Sequence, residues 1–595
     1  MVVAQATEPD KAVKALCLFG VLLLARILIL WGRNVPLSFW SPVAYLWQDV
    51  SVVLLFAVLT RLTSRRPWIA WTAYGATTIY VALNLPLIRL MSSPMTLPML
   101  RASRGALADS IRHHLTVENL FLTGSVLGAA ILLPALLRQV KLAPPIAVGL
   151  GIASVVAIAT GPVAASRVET NGLHRNVFFA LLRTTLARVG AEQTGNNDWR
   201  RSPLNSGSRP RCAEGLSRFK GAAQGRNVVL ILLESTGAKY LRAYGAAEDP
   251  MPNLTALANQ AILFENAYAV YPESIKGLFS VLCSRYPAFD AEAEVCARTT
   301  TPSIASRLAE AGYRTALFHS GRFMYLGMSE VVQHRGFQTL EDAGDVGGNH
   351  ESSFGVEDRS TVHRMLAWVD SLPVGERFFI TYLPVSGHHP YSSPEPGPFP
   401  ANDEIGRYRN ALHYSDAAVR ELLDGLKARG QYEKTVFVIF GDHGEAFGQH
   451  EGNYGHTFFV HDENIHVPYF IVGPGFIREP IRAGRVASLI DTAPTVLDLL
   501  GLPISSEYQG SSLLEPRQQT ALFYTDYSLG LLGLRDGRWK YIYELDSGRS
   551  RLFDLAGDEK RACAPLGRRA AGFNPARAGC HSRLEAMKAK SRLTG

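Results

Sequence analysis

Two groups of polar residues, each after an apolar run, have side chains that bind divalent cations. Glu234 directly follows the apolar run NVVLILL, and Asp442 and His443 follow the apolar run TVFVIF after one glycine. Carboxylate oxygens and an imidazole nitrogen suit Zn²⁺ and Mn²⁺ alike. Five of the 16 histidines also lie between His443 and His466. The pattern predicts a metal site, and a histidine-rich surface loop is the alternative.

Ser274 is the residue best suited to act as a nucleophile. It stands shortly before the apolar stretch LFSVLC, which is typical of a helix, so its hydroxyl would lie near free backbone N–H groups. A serine hydroxyl bound to a metal loses its proton more readily and becomes an alkoxide. Lys276 follows two residues later and could hold a phosphoryl oxygen. Ser274 could equally be a simple N-cap of the helix, and only nearby metal ligands would favour catalysis.

Alternating strands and helices must position these residues. Continuous apolar runs predict buried strands, and periodic apolar residues predict helices between them. Strands are expected at 227–233, 315–318, 377–383 and 435–440, with helices at 253–260, 301–311 and 415–428. This order indicates an α/β fold with a mostly parallel sheet covered by helices on both faces. Such sheets bind ligands at the carboxyl ends of their strands, where Glu234, Asp442 and the GHHPY segment with His388 all fall.

The first third of the chain is predicted to span a membrane. The 595 residues are 47% hydrophobic and 19% charged, with a mean hydropathy of +0.05. Five apolar windows are each long enough to cross a bilayer. They are Val13–Trp31, Phe39–Leu59, Trp68–Leu90, Val117–Leu137 and Pro144–Ala164. Lysine and arginine residues favour a cytoplasmic N-terminus, so five crossings would place everything after Arg167 outside the cytoplasm.

The predicted organisation has four parts. They are a five-span membrane region at 1–166, a linker at 167–225, a catalytic domain at 226–530 and a small C-terminal subdomain with a tail at 531–595. In the linker, Arg175–Val189 predicts a basic amphipathic helix that lies either on the membrane face or on the soluble domain. The polar residues after it predict a flexible tether.

Two charged residues lie within the predicted spans. Arg26 and Asp49 stand on sequential antiparallel spans, where an isolated charge is costly. One interpretation is that they pair. The other is that Arg26 extends to the interface while Asp49 faces the interior of the bundle.

Composition also limits the classes of partner. The net charge is +8, but the basic residues are scattered and no aromatic and basic module accompanies them, so nucleic-acid binding is not expected. Six cysteines in this length exclude a disulfide-scaffold protein.

Residues 225–560 resemble the alkaline phosphatase/sulfatase superfamily. The motifs that carry the resemblance are NVVLILLES, FENAYAVYPES, LCSRYP, LAEAGYRTALF, GHHPY, FGDHGEAFGQH, ENIHVPYFIVGPG and SLIDTAPTVLDLLGLP. The five spans ahead of them resemble the membrane-anchored branch, which includes lipoteichoic acid synthases and phosphoethanolamine transferases. The resemblance implies a three-layer α/β catalytic domain followed by a small C-terminal subdomain.

The resemblance also implies roles for particular residues. Those matching metal ligands are Glu234, Ser274, Asp442 and His443, with Ser274 also the catalytic nucleophile. The implied cofactor is Zn²⁺ or Mn²⁺, and a second metal ion is left open near His456. The residues implied to contact substrate are Lys276, His319, Arg322, His388 and His456.

The nucleophile segment departs from the pattern of true sulfatases. Their Cys-x-Pro-Ser-Arg motif, or its serine equivalent, is matured to formylglycine, whereas this chain has Ser274-Ile275-Lys276-Gly277-Leu278. Loss of the proline and the arginine favours an unmodified hydroxyl and phosphoryl chemistry. The C-terminal stretch RDGRWKYIYELDSGRSRLFDLAGDE instead resembles the terminal subdomain of sulfatases.

The implied function is therefore transfer of a phospho-headgroup, either phosphoglycerol or phosphoethanolamine. The donor would be a phospholipid, and the acceptor a glycan or lipid of the cell envelope, with a covalent intermediate on Ser274. A hydrolase of sulfate or phosphate esters is the alternative. A non-enzymatic sensor or transporter with an inactive domain is a third interpretation, which the intact set of site residues disfavours.

The location outside the cytoplasm predicts two local disulfides, Cys283–Cys296 and Cys563–Cys580. Cys17 and Cys212 would then stay unpaired. Free thiols throughout are the alternative.

Overall fold

The computed structural model describes most of the chain between residue 11 and residue 563. The described ranges are 11–102, 108–185, 214–289, 293–296, 298–325, 327–349, 354–516, 520–555 and 562–563. Most of the predicted tether, and Cys212 and Cys580, lie outside them.

The N-terminal part is a bundle of helices. Its elements are α1 Lys11–Leu30, α2 Ser41–Leu62, α3 Pro67–Met91, α4 Leu97–Ala102, α5 Ala108–His113, α6 Val117–Leu136, α7 Pro144–Arg167 and α8 Val177–Thr185. Four helices among the described residues are long and apolar enough to cross a membrane, namely α1, α2, α6 and α7. Four of the five predicted spans therefore have the length and apolar character that crossing a membrane requires. The third predicted span forms the helix α3, but polar residues such as Thr77, Thr78 and Asn84 lower its hydropathy.

Three of the five long helices nevertheless have one end in contact with the catalytic part of the molecule. After α1, the backbone N–H of Asn34 donates to Glu451 over 2.6 Å. After α3, the hydroxyls of Ser93 and Ser528 are 2.6 Å apart. At the end of α7, the carbonyl of Ala165 accepts from Arg549 over 3.0 Å. Because α1 ends on this side, α2, the next helix, begins here. Since α3 follows α2 and ends on this side again, α3 runs the length of the bundle, as its neighbours do.

Arg26 and Asp49 form a buried ion pair within the bundle. Two guanidinium nitrogens of Arg26 donate to one carboxylate oxygen of Asp49 over 2.7 and 3.0 Å. The other oxygen accepts from the amide of Asn176 over 2.7 Å. The pairing interpretation is thus confirmed, and extension of Arg26 to the interface is wrong. Such a pair is costly to break, because either charge alone would be buried without a partner.

The helix α8 packs on the soluble part of the molecule, as one of the two interpretations predicted, and also on the helix bundle. Its Phe178 and Phe179 pack against Tyr80 and Trp47 of the bundle, with ring centroids 5.3 and 5.7 Å apart. On the other side, Arg183 donates to Asp546 of the C-terminal sheet over 3.2 Å. The helix therefore lies between the bundle and the C-terminal part.

The catalytic part contains a nine-stranded mixed sheet. Its strands are β1 Asn227–Leu233, β2 Ala261–Tyr268, β3 Tyr313–His319, β4 Thr339–Glu341, β5 Arg377–Leu383, β6 Thr435–Gly441, β9 His466–Val467, β10 Tyr469–Val472 and β11 Ile481–Ser488, with the two-stranded ribbon β7 Ala446–Phe447 and β8 Tyr454–Gly455 beside it. The order is β11-β2-β10-β6-β1-β5-β3-β4, and β9 pairs with β2. Only β9 and β10 are antiparallel to their neighbours, so the prediction of a mostly parallel sheet is confirmed.

The central strand β1 shows that the sheet is the middle of three layers, with an apolar core on each of its faces. All seven of its residues are buried, and alternate side chains enter separate apolar cores. Val228, Leu230 and Leu232 belong to one core. Val229, Ile231 and Leu233 belong to the other. A strand covered on both faces must be apolar throughout, which is the pattern of NVVLILL.

Helices cover both faces of the sheet. They are Pro252–Leu257, Ser274–Cys283, Ala293–Cys296, Ile304–Glu310, Met328–Val332, Ala343–Val346, Asp358–Asp370, Glu404–Ala428, Asp462–Ile465 and Thr492–Leu499. The longest begins at Glu404, earlier than predicted, because Asp403 caps its first turn by accepting from the Gly406 N–H over 2.7 Å.

A second, antiparallel sheet completes the described chain. Its strands are β12 Thr520–Thr525, β13 Leu531–Asp536, β14 Trp539–Glu544, β15 Arg549–Asp554 and β16 Ala562–Cys563. Since β12 pairs with β13, we propose that this subdomain begins ahead of Thr520 and not at residue 531.

The predicted disulfide Cys283–Cys296 is wrong in this structure. Both residues are buried free cysteines, and so is Cys17 in α1. Burial raises the pKa of the Cys283 thiol to about 11, which keeps it protonated at neutral pH. The pair Cys563–Cys580 extends beyond the described residues.

Candidate active site

The two predicted ligand groups meet because β1 and β6 are neighbouring parallel strands in register. Leu233 lies opposite Gly441, so the next residues, Glu234 and Asp442, leave the sheet side by side. The backbone N–H of Ser235 donates to Asp442 Oδ1 over 3.0 Å and joins the two turns.

Glu234, Asp442 and His443 form a compact buried group of possible metal ligands. One donor atom from each lies within 4.8 Å of the others. Nε2 of His443 is 3.7 Å from a Glu234 oxygen and 3.6 Å from an Asp442 oxygen. Nδ1 of His443 donates to the Gly444 carbonyl over 3.0 Å, which leaves Nε2 free of a proton in the neutral ring.

The electrostatics of this group fit a divalent cation. Burial, together with the nearby charge of Asp442, raises the pKa of Glu234 well above its usual range. Burial also lowers the pKa of His443, which favours the neutral imidazole that metals bind. A cation between two buried carboxylates would offset their repulsion, and the oxygen and nitrogen donors match Zn²⁺ or Mn²⁺.

Ser274 is the first residue of its helix, and its hydroxyl points into the ligand group. Its Oγ donates to Glu234 Oε2 over 3.1 Å and lies 3.3 Å from His443 Nε2. The helix is capped by Glu273, whose carboxylate accepts from the N–H groups of Ile275 and Lys276 over 2.8 and 3.2 Å. The N-cap interpretation of Ser274 is therefore wrong, because its neighbour performs that role.

Lys276 is held by a partner outside the ligand group. Its Nζ is 3.0 and 2.9 Å from the two oxygens of Asp526, and both side chains are buried. Asp526 also accepts from the Tyr271 hydroxyl over 2.7 Å. The predicted contact of Lys276 with a phosphoryl oxygen thus competes with an existing buried ion pair.

His456 lies directly against His443. Their ring centroids are 4.1 Å apart, and His456 Nδ1 is 2.9 Å from Glu445 Oε2. Burial opposes a charge on this ring, but the carboxylate of Glu445, assisted by Glu234, outweighs burial and raises the pKa of His456 to about 9. The Glu445 carboxylate thus favours the protonated form of the imidazole that lies beside the ligand group.

His388 approaches the same place from the end of β5. Its ring centroid is 6.3 Å from that of His456, and its ring stacks on Phe354 at 3.4 Å. Gly387 permits this approach, since a Cβ at that position would lie 2.1 Å from the Glu234 carbonyl oxygen. Burial and the charge of His456 lower the pKa of His388 well below its usual range.

His319 and Arg322 lie further along the sheet edge, after β3. The ring of His319 is buried, stacks against Phe323 at 5.8 Å, and makes a 3.2 Å contact from Nδ1 to the Leu383 carbonyl. Burial lowers the pKa of His319 to about 4, so the ring is neutral. Arg322 is partly buried just beyond it.

The structure therefore gathers Ser274, Glu234, Asp442 and His443, with His456 and His388 next to them. Sequence reasoning did not assign the partners that hold these groups, which are Glu445, Asp526, Glu273 and Phe354. Of these, Glu445 lies within the GDHGE motif, so the motif was a usable signal for it. No sequence pattern pointed to Asp526 as the partner of Lys276, because the two residues are 250 positions apart.

Comparison with known proteins shows similarity over the part of the chain that contains the ligand group. Residues 226–502 match the family model described as Sulfatase. The structure of a protein in the alkaline phosphatase superfamily from Vibrio parahaemolyticus superposes with a TM-score of 0.50 at 21% identity. It covers 64% of this chain and 96% of its own, which shows a common fold.

Two curated relatives differ in the chemistry that their names indicate. Lipoteichoic acid synthase 2 of Bacillus subtilis (strain 168) is 25% identical over 325 residues, which cover 51% of this chain and 49% of that protein. Arylsulfatase K of Mus musculus is 29% identical over 229 residues, which cover 33% of this chain and 40% of that protein. The chain spans about half the length of the first curated relatives it matches.

Proposed function

We propose that the protein is a membrane-anchored phosphotransferase, because residues 226–502 match the Sulfatase family model and follow a set of apolar helices. It would move a phosphoglycerol or phosphoethanolamine headgroup from a phospholipid to a glycan or lipid acceptor in the cell envelope. The similarity to lipoteichoic acid synthase 2 supports this class of reaction.

The observation that carries the proposal is the setting of the Ser274 hydroxyl. The hydroxyl lies between Glu234 and His443. It does not cap the helix, because Glu273 is the N-cap residue. An unmodified serine in this position suits attack on phosphorus. The formylglycine of true sulfatases would need the motif residues that Lys276 and Leu278 replace.

The metal would be held by Glu234, Asp442 and His443, with the Ser274 oxygen beside them. When bound, it would supply Lewis-acid stabilisation of negative charge on the phosphoryl oxygens and lower the pKa of the serine hydroxyl. Ligand type supports Zn²⁺ and Mn²⁺ equally.

In the first step, Ser274 Oγ forms a bond to phosphorus and passes its proton to Glu234 Oε2, which already accepts its hydrogen bond. The phosphorus–oxygen bond to diacylglycerol breaks with its electron pair on the leaving oxygen. His456, which Glu445 keeps protonated, gives that oxygen a proton. Diacylglycerol leaves, and the headgroup stays on Ser274 as a phosphodiester.

In the second step, an acceptor hydroxyl attacks the same phosphorus. His456 takes the proton of the acceptor, and the bond from phosphorus to Ser274 Oγ breaks. Glu234 returns a proton to the serine, so both groups regain their starting states. Water in place of the acceptor would give hydrolysis, so exclusion of water decides between transfer and hydrolysis.

The headgroup would lie along the sheet edge between the ligand group and β3. We propose that His388, His319 and Arg322 contact it, as the neutral imidazoles offer hydrogen bonds and the guanidinium offers charge. The ion pair with Asp526 supports a different role for Lys276, which is to hold the nucleophile helix in position.

Hydrolysis of a sulfate or phosphate ester is the second candidate. The similarity to Arylsulfatase K and the antiparallel C-terminal sheet, whose sequence resembles that of sulfatases, favour it. With a sulfate ester as substrate, Ser274 would face a sulfur atom in place of the proposed phosphorus atom.

Product analysis tests the proposal. The full-length protein in detergent micelles is incubated with radiolabelled phosphatidylglycerol or phosphatidylethanolamine, with and without an envelope-lipid extract as acceptor. Release of diacylglycerol with label transferred to the acceptor is expected. Cleavage of an aryl sulfate without any headgroup transfer would favour the hydrolase.

We further propose that the catalytic domain lies outside the cytoplasm. The helix ends away from the catalytic part carry Arg61, Arg65, Arg66, Arg138 and Lys141, and a basic flank is typical of the cytoplasmic side. Five helices that run alternately between the two sides place the catalytic part opposite to this flank.

A pair of C-terminal reporter fusions checks this topology. We expect alkaline phosphatase, which folds only outside the cytoplasm, to be active when fused after residue 595. A green fluorescent protein that matures only in the cytoplasm should stay dark at the same position. Fluorescence from that second fusion would contradict the topology.

A further inference from the structure

A second cluster of metal-binding side chains lies where the membrane region meets the catalytic domain. It consists of His113, His389 and Glu404, whose donor atoms all lie within 4.8 Å of one another. Nε2 of His113 and Nε2 of His389 are 3.9 and 4.0 Å from the same oxygen of Glu404. None of these three residues belongs to the ligand group around Ser274.

The three side chains come from separate elements. His113 is the last residue of α5, His389 follows β5, and Glu404 begins the helix Glu404–Ala428. Their convergence is not a consequence of local sequence, because α5 and the loop after β5 are more than 270 residues apart. A group to which α5 and the distant segment from His389 to Glu404 both contribute is one that the tertiary fold positions.

The orientation of His389 is fixed by its other ring nitrogen. Nδ1 lies 2.9 Å from the Ser110 hydroxyl, and that hydroxyl also donates to the His389 carbonyl over 3.3 Å. Nε2 therefore faces His113 and Glu404. Metal-binding histidines characteristically have the second nitrogen engaged in this way.

A further ring packs against the cluster. The ring of His114 stacks on His389, with centroids 5.3 Å apart and an interplanar angle of 11°. His113 is exposed, while His389 and Glu404 are partly buried, so a cation could enter from solvent.

We propose that His113, His389 and Glu404 bind a second divalent cation, which ties the membrane region to the loop that carries His388. Two imidazoles and one carboxylate form a three-ligand set that suits Zn²⁺, with a fourth position open to water. The bound ion fixes the His388–His389 segment relative to α5. It thereby links the placement of a proposed substrate contact to the membrane region.

Zinc stoichiometry of the full-length protein in detergent micelles tests this site. The protein is stripped with a chelator, dialysed against Zn²⁺, and its zinc content is measured by inductively coupled plasma mass spectrometry. The variants are His113→Ala and Glu404→Gln, each made in the parent chain and in an Asp442→Asn background. His113 is exposed, so its replacement should leave the fold intact.

We expect both variants to bind about one Zn²⁺ fewer per chain than their own background. His363→Ala is the matched control, because His363 is an exposed histidine that pairs with Glu421 over 2.5 Å without a second imidazole. Its zinc content should equal that of the parent.

Equal zinc in the parent, His113→Ala and Glu404→Gln would overturn the proposal. The Asp442→Asn background separates this result from failure of the proposed catalytic metal. If Asp442→Asn alone retains full zinc, the catalytic assignment fails, while the comparison within each background still decides the second site.

Discussion

Ser274→Ala is expected to lower turnover by at least about a thousandfold, because covalent catalysis is lost with the hydroxyl. The side chain contributes little to the fold, as its helix is capped by Glu273. Turnover is measured as the rate of diacylglycerol release from the phospholipid donor, and folding as the thermal unfolding temperature. We expect the unfolding temperature to change little.

Ser280→Ala is the matched control on the same helix. Its buried hydroxyl donates to the Lys276 carbonyl one turn earlier and does not enter the ligand group. This variant should keep most of the turnover. Ser274→Thr should keep some activity, since threonine offers the same kind of alkoxide, while Ser274→Cys should keep less. Near-normal turnover in Ser274→Ala would show that the nucleophile lies elsewhere.

Asp442→Asn and His443→Ala are expected to weaken binding of the catalytic metal by at least about a hundredfold. Changes to residues that only support metal ligands typically cost ten- to a hundredfold in affinity, whereas His443→Ala removes a ligand and Asp442→Asn removes the negative charge of one. Asp442 Oδ1 accepts from the backbone N–H groups of Ser235 and His443, and the amide oxygen in Asp442→Asn can keep both bonds, so this variant isolates the charge from the shape of the two turns. Metal affinity is measured by titration of the chelator-treated protein with Zn²⁺ or Mn²⁺.

The control for this prediction is His450→Ala, which removes a nearby histidine outside the ligand group. His450 contacts Glu463 over 2.7 Å and stacks on His461, with ring centroids 3.8 Å apart. Its replacement should leave the affinity of the catalytic metal nearly unchanged. Full affinity in Asp442→Asn would place the metal on other residues.

The sheet and the ligand group could be predicted because their determinants are local. A strand buried on both faces is a continuous apolar run, and β1 and β6 are such runs. Polar residues directly after two such strands lie at the same edge of a parallel sheet. The positions of Glu234, Asp442 and His443 followed from that rule and from the motifs of the family.

The partners that hold the site could not be predicted, because they depend on distant contacts. Asp526 reaches Lys276 only after the C-terminal sheet docks, and no spacing in the sequence records this. The low hydropathy of α3 also has a physical explanation. Its polar residues are compatible with a helix that packs inside a bundle, so apolar content alone does not determine which helices traverse it.

The sequence left open whether Ser274 caps the nucleophile helix, because the backbone conformation of Glu273 and Ser274 is not written in their residue types. Glu273 has φ −163° and ψ 144°, and the helix begins with Ser274. The helix start thus leaves the Ser274 hydroxyl free of a capping role.

The central claim is that Ser274 carries the headgroup during the reaction. The most direct measurement is mass spectrometry of peptides from full-length protein that has been incubated with the phospholipid donor and quenched in acid. A phosphoglycerol or phosphoethanolamine adduct on the peptide containing Ser274, and none in Ser274→Ala, is the predicted result. Sustained transfer to an acceptor with no adduct on Ser274 at any time, or with the adduct on another residue, would contradict the account.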